Sequence, residues 1–260
     1  QVKLWKRGTL LKDAQLIYEV ETTDVGAGSS ILYDGDKHYI VLVKISSYLS
    51  GQLSVLLNNK IIPLDIPKDA AITTILRNRF TLQNNQFVIQ LKSDWTVNNK
   101  TYSTGTLISL NFTELLKGNK DIKVILKPDK FSSIYGISTT KNKLLVNVLT
   151  DVTSNLFVYS FTNGDWTSQK VDAPKLGALD VVATSNLSDQ YFFDFENFII
   201  PTTLYLGDAS SNTFESFQSL PAYFDASNLE VKQYKAKSKD GTMIPYFMVS
   251  RKDIKMDGTN

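Results

Sequence analysis

The sequence predicts an all-β fold, and three observations carry that reading. Apolar, β-branched and aromatic runs of strand length dominate the chain. The runs recur in sets of four at a spacing of roughly 45 to 60 residues. Turn-forming residues separate them, and helix signals are few.

The elements follow in order. Residues 2–21 supply about two strands, like the outer half of a unit. The first full set is "GSSILY" from Gly28, "HYIVLVKI" from His38, "GQLSVLL" from Gly51 and "KIIPLDI" from Lys60. The second is "AITTIL" from Ala71, "QFVIQLK" from Gln86, "GTLISLNF" from Gly105 and "DIKVILK" from Asp121. Inside it, "NFTELLKGN" from Asn111 predicts one helical turn, ended by Gly118. The third set is "SSIYGIS" from Ser132, "KLLVNVL" from Lys143, "SNLFVYSF" from Ser154 and "DWTSQKV" from Asp165. The fourth holds "LDVVAT" from Leu179, "QYFFDFENF" from Gln190 and "TTLYLGD" from Thr202. Pro67, Pro128, Pro174 and Pro221 follow the sets. A loop over 219–228 then leads to a hairpin, where Asp240-Gly241 predicts a two-residue type I′ turn.

A four-stranded antiparallel unit at this period is the signature of a β-propeller blade. One blade cannot bury both its faces, so blades stack radially on their neighbours. The expected inner strands are 71–76, 133–138 and 179–184. About four to five blades are visible, followed by the C-terminal β-hairpin. A β-sandwich with evenly spaced strands is the alternative.

Composition narrows the function classes. The 28 basic and 26 acidic residues nearly cancel, and no basic run stands out, so neither nucleic acid nor an anionic membrane is an expected partner. The absence of cysteine excludes disulfides, thiolate metal sites and a cysteine nucleophile. No apolar stretch approaches the roughly 20 residues that span a bilayer. The compartment is expected to be cytoplasmic or periplasmic. The first residue is Gln1, without a signal-peptide pattern, so the expectation is that either the true N-terminus was removed or the chain is a piece of something longer.

Candidate chemistry is sparse. No G-x-S-x-G elbow and no Walker loop is present. "GAGSS" at Gly26 precedes a strand, not a helix, and reads as a flexible turn. His38 is the sole histidine, and it follows the turn "DGDK" as a solvent-facing residue. Asp34, Gly35 and Asp36 lack the later carboxylate of a calcium loop and read as a surface turn. In "FDFEN", Asp194 and Glu196 share one face of a strand, opposite the aromatics. They could do acid/base work, but two carboxylates on one strand cannot flank a sugar from both sides. Trp5, Trp95 and Trp166 read as packing residues near strand ends. No cofactor is implied.

The C-terminal stretch is more specific. "FDASNLEVKQYKAKSKDGTMIPYFMVSRKDIKMDGTN" from Phe224 closely resembles the junction between propeller and hydrolase domain in the prolyl oligopeptidase family of serine peptidases. "FIIPTTLYLGD" from Phe198 resembles the family's last blade. "LKSDWTVNNKTYSTGTL" from Leu91 and "VKLWKRGT" from Val2 resemble its bacterial branch. The resemblance implies a seven-bladed parent whose propeller admits only short peptides to a Ser-Asp-His site in an α/β-hydrolase domain. It implies a partial propeller over 1–221, and over 222–260 a linker and the first hairpin of that hydrolase domain. The triad carries over to no position here, so the chain alone is expected to be inactive, with the hydrolase domain as its partner. Its orphan hairpin, through Ile244, Tyr246, Phe247 and Val249, is expected to promote self-association. A free-standing propeller that binds protein or ligand is the alternative, and the hairpin after the last blade argues against it.

Overall fold

A computed structural model describes residues 1–71 and 81–259. The described residues form four four-stranded antiparallel sheets and three two-stranded ones. By its contacts the chain divides into two compact units, Gln1–Pro128 with Phe161–Trp166, and Asp129–Ser160 with Thr167–Asn260.

In the first unit, β1 (Val2–Leu4) and β2 (Gln15–Tyr18) pair as a short ribbon. The first sheet runs in sequence order through β3 (Gly26–Asp34), β4 (Lys37–Ser47), β5 (Ser50–Leu57) and β6 (Lys60–Pro63). Here "GAGSS" is a strand and not the expected flexible turn. Gly26 to Ser30 lie opposite Ile45 to Val41, and the ladder's hydrogen bonds outweigh the entropy that glycine loses.

The second sheet starts with β7 (Thr81–Gln83) and β8 (Gln86–Gln90), leaves for a small hairpin of β9 (Trp95–Val97) and β10 (Lys100–Tyr102), and returns with β11 (Leu107–Asn111) and β12 (Ile122–Leu126). Ala71 does not open a strand. Its N–H donates to the Pro67 carbonyl at 3.0 Å, closing a helical turn over 68–71 that proline's fixed φ initiates. The rest of the strand expected over 71–76 lies outside the described residues, and β7 is the strand at that edge of the sheet. The expected helical turn is present as α1 (Phe112–Leu115). Asn111 caps it by accepting from the Glu114 N–H at 3.1 Å, and Gly118 ends the segment at φ +88°.

Alternation along these strands puts one apolar row of each sheet into a shared core. Val41, Val43, Leu53 and Val55 of the first sheet join Phe87, Ile89, Ile108 and Leu110 of the second, with Phe112 from α1. Each such side chain stabilises the fold by about 1.5–3 kcal/mol when fully buried. Asp34, expected to be a plain surface turn residue, ties the two sheets together. Its carboxylate accepts from the Asn85 backbone N–H at 2.9 Å. Trp166 is a packing residue, as expected, and its Nε1 donates to the fully buried Ser109 hydroxyl at 2.9 Å.

The second unit carries two further sheets, each in sequence order. One comprises β13 (Ser132–Thr139), β14 (Leu144–Thr150), β15 (Thr153–Thr162) and β16 (Asp165–Lys170), its outer turn lying with the first unit. The other comprises β17 (Ala178–Thr184), β18 (Gln190–Glu196), β19 (Thr203–Asp208) and β20 (Thr213–Ser219). Leu145, Leu156 and Val158 pack with Leu179, Tyr191, Phe193 and Phe195. Asp189 is the tie here. It accepts from the Thr140 hydroxyl, the Asn142 N–H and the Asn142 side-chain amide, each at 2.8 Å. Burial works to raise its pKa, but those donors outweigh it and hold the carboxyl below its ordinary value.

The C-terminal hairpin is β21 (Leu229–Lys237) and β22 (Met243–Arg251). Its turn is wider than the predicted two residues, because Lys237 pairs with Met243 across 238–242. Gly241 takes φ +87°, while Asp240 stays out of the left-handed region and its carboxylate accepts from the Thr242 N–H at 2.9 Å. The hairpin is not an orphan. One face rests on the second unit through Gln233, Lys235 and Phe247.

Candidate functional site

A pocket that gathers four titratable side chains, Tyr135, Asp180, Asp194 and Glu196, lies in the second unit. It has a volume of about 330 Å³ and is lined by Tyr135, Leu149, Ser154, Ala178, Leu179, Asp180, Asp194 and Glu196. Strand pairing builds its acidic wall. Asp180 on β17 lies directly opposite Asp194 on β18, and Ala178 opposite Glu196. Period-two alternation sends Tyr191, Phe193 and Phe195 into the core and leaves Asp194 and Glu196 on the other face, as expected from "FDFEN". Gly177 makes the approach to β17 possible, since a Cβ there would sit 2.2 Å from the Glu196 carbonyl oxygen.

Burial, and then the Asp194 charge beside it, raise the Asp180 pKa above its ordinary value. The Asp180 N–H also donates to the Asp194 carboxylate at 3.2 Å. Glu196 accepts from the Thr202 hydroxyl. All three carboxylates stand on the β17–β18 wall. The other wall, Tyr135, Leu149 and Ser154, carries none. A sugar held here would meet carboxylates on one side alone, which denies the two-sided acid/base pair of glycoside hydrolysis.

The remaining candidates are scattered. His38 is exposed on β4 opposite Tyr33, and Asp34 is engaged with Asn85. Among the described residues no group of three or more His, Cys, Asp or Glu could hold a metal ion. Tyr191 escaped sequence reasoning. It is 1% exposed, its hydroxyl lacks a hydrogen-bond partner, and burial with the nearby Asp208 charge pushes its pKa up to about 12. The signal in sequence was Gly207, whose missing side chain makes room for the ring.

Residues 1–219 match the family model described as "Prolyl oligopeptidase, N-terminal beta-propeller domain". The chain belongs to the prolyl oligopeptidase family. Its four-stranded sheets are blades of a partial β-propeller. The propeller chain is 33% identical to an uncharacterized peptidase, y4nA, of Sinorhizobium fredii over 99% of its own length and 36% of the relative's. It is 27% identical to the uncharacterized peptidase RP174 of Rickettsia prowazekii, with the same two coverages. The chain thus spans about a third of the length of these bacterial relatives. Among solved structures, a post-proline cleaving enzyme from Rickettsia typhi matches with a TM-score of 0.79 at 24% identity, over 98% of this chain and 37% of that one. Prolyl oligopeptidase B from Galerina marginata, without ligand, matches with a TM-score of 0.71 at 18% identity, over 98% and 35%. These likenesses show the fold. No described helix is long and apolar enough to cross a membrane.

Proposed function

We propose that this chain is the substrate-screening propeller of a serine peptidase of prolyl oligopeptidase type that hydrolyses short peptides. The observation that carries the reading is the family match over residues 1–219. Excluding large substrates is a steric task, which suits a chain of stacked blades without a nucleophile. Catalysis would then belong to a separate α/β-hydrolase domain, with the propeller in front of it.

The same reading puts the domain boundary at 221. The match ends at Ser219, and residues 220–228 form no strand before β21 begins. The exposed hairpin face offers Tyr234, Ile244 and Tyr246, an apolar stripe suited to packing against the rest of the hydrolase sheet. Residues 222–260 are accordingly a linker and the hydrolase domain's first hairpin.

A chimaera tests this. The propeller of the Sinorhizobium relative is replaced by this chain, and cleavage of a ten-residue peptide is compared with that of an unfolded protein of the same local sequence. Selective cleavage of the peptide is expected, and equal cleavage of both would overturn the screening role. The chain by itself should take up no fluorophosphonate probe. Stoichiometric labelling would show a nucleophile that the reading denies.

A further inference from the structure

The turn between β14 and β15 is built from the wrong residues. Asp151 and Val152 hold φ of +47° and +61°, and Val152 is 59% exposed. A β-branched residue in the left-handed region is an outlier, because its Cβ crowds the backbone there. Four other turns among the described residues also place two successive residues at positive φ. They use Asn58-Asn59, Asn84-Asn85, Asn98-Asn99 and Asn163-Gly164, the residue types that tolerate it. Of these five two-residue turns only 151–152 puts a β-branched residue there, and that turn is the one the C-terminal hairpin grips; Leu176, at φ +59°, is a single left-handed residue elsewhere.

The hairpin makes three contacts here, and a backbone bond braces the turn itself, all within the second unit. Gln233 Nε2 donates to the Asp151 carbonyl at 2.6 Å. Lys235 pairs with the Asp151 carboxylate at 2.7 Å, the lysine side chain 37% exposed and the aspartate 23%. The same ammonium lies 4.9 Å from the Phe131 ring centroid, and the Asp151 N–H donates to the Phe131 carbonyl at 3.1 Å. Every polar group of Asp151 is therefore in use. On the same hairpin face, Phe247 packs on Phe198 with ring centroids 5.5 Å apart.

We propose that the Asp151–Val152 turn is a latch that holds the C-terminal hairpin against the propeller, and that this latch sets how often the hairpin swings free. The ladder between β21 and β22 cannot do so, because a two-stranded hairpin alone is marginal in water. Release of Lys235 and Gln233 would remove both polar holds on the Asp151 turn and leave the Phe198–Phe247 contact to hold that face. Resting on the reading given under Proposed function, the latch would govern the opening of the hydrolase domain over the propeller, since the hairpin joins the two.

Amide hydrogen exchange on the 260-residue chain tests the latch without any peptidase activity. Lys235→Met keeps the stem and removes the charge, and Gln233→Leu removes the second donor. The amides of β21 and β22 should exchange about threefold faster with the first change, and about tenfold or more with both. The amides of β14 and β18 serve as the internal control and should stay protected. Lys235→Arg should restore most of the protection, and Asp151→Asn should reproduce the Lys235→Met effect without adding to it. Unchanged hairpin exchange in the double variant, with the blades intact, would overturn the proposal. So would additive losses from Asp151→Asn and Lys235→Met. Neither result would bear on whether the chain is a peptidase's propeller.

Discussion

Replacing Gly207 with alanine adds one methyl group where β19 crosses Tyr191. An ideal Cβ at that position lies 2.4 Å from the ring's Cζ, 2.7 Å from Cε1 and 2.8 Å from the hydroxyl oxygen. Carbon atoms sit comfortably at about 3.5–4.0 Å, so the ring would have to retreat by more than about 1 Å. It has nowhere to go. Tyr191 is 1% exposed, stacks on Phe193 with centroids 5.9 Å apart, and packs among Leu145, Leu156 and Val158. Overpacking of such a site costs about 1–3 kcal/mol. Expelling the ring instead forfeits its burial, again about 1.5–3 kcal/mol. Alanine recovers about 0.5–1 kcal/mol of backbone entropy in a strand. The net loss should be about 1–2 kcal/mol, read as a lower urea midpoint at unchanged slope. Tyr191→Val makes the decisive companion. Alone it opens a cavity and destabilises by about 2–3 kcal/mol, but beside Gly207→Ala the new methyl occupies that space. The double variant should therefore be more stable than the sum of the singles by about 1–2 kcal/mol. A Gly207→Ala protein within 0.5 kcal/mol of wild type, or strictly additive losses, would refute the reasoning.

Three further outcomes are expected. Asp189→Asn should cost about 1–2 kcal/mol near neutral pH, since three donors lose a charged acceptor. The wild-type carboxyl titrates below its ordinary value of 3.8, so its contribution is full above that pH and fades as pH falls through the lower folded value. The gap between wild type and variant should close on acidification in urea titrations, and a constant gap would show that Asp189 is not the titrating tie. Val152→Gly should stabilise the chain by about 1 kcal/mol, because glycine accepts φ +61° freely and Val152 buries little; a lower melting temperature would contradict this. At micromolar concentration the chain should self-associate through Ile244, Tyr246 and Val249, each more than 40% exposed. Light scattering from a 29.2 kDa species, unchanged on deleting 230–260, would disprove it.

The sheets were legible because the sequence signal and the fold share a period. "HYIVLVKI", "QFVIQLK", "KLLVNVL" and "QYFFDFENF" all became the second strand of a sheet in chain order, hydrogen-bonded to a neighbouring strand on each side. Gly118 announced the end of α1, and the Asn111 cap found in the structure is chemistry that acts within one turn. What remained hidden depended on distant partners. "GAGSS" has the composition of a loop and becomes a strand because Ile45 to Val41 lie opposite it. The left-handed turns at Asn58-Asn59, Asn84-Asn85 and Asn98-Asn99 carry no glycine, so a search for Asn-Gly passes over them. The acidic pocket was half visible. Asp194 and Glu196 share a strand and could be placed together, whereas Asp180 joins them only through the β17–β18 register. The Asp151 latch was invisible, since the residues that meet there are 82 positions apart.

Among the described residues, and apart from the small excursion of β9 and β10, each sheet is threaded strand after strand, without borrowing from a distant part of the chain. That wiring has a consequence for gene rearrangement. A break between two sheets removes whole repeats and leaves every surviving hydrogen-bonded ladder complete. A break inside a sheet strips partners from both sides of the wound. Propeller genes can therefore gain or lose blades by duplication and deletion at the inter-sheet segments, while a nick a dozen residues away ruins the product. The early events of folding inherit the same locality, because each hairpin closes over a few residues before any blade has to find its neighbour.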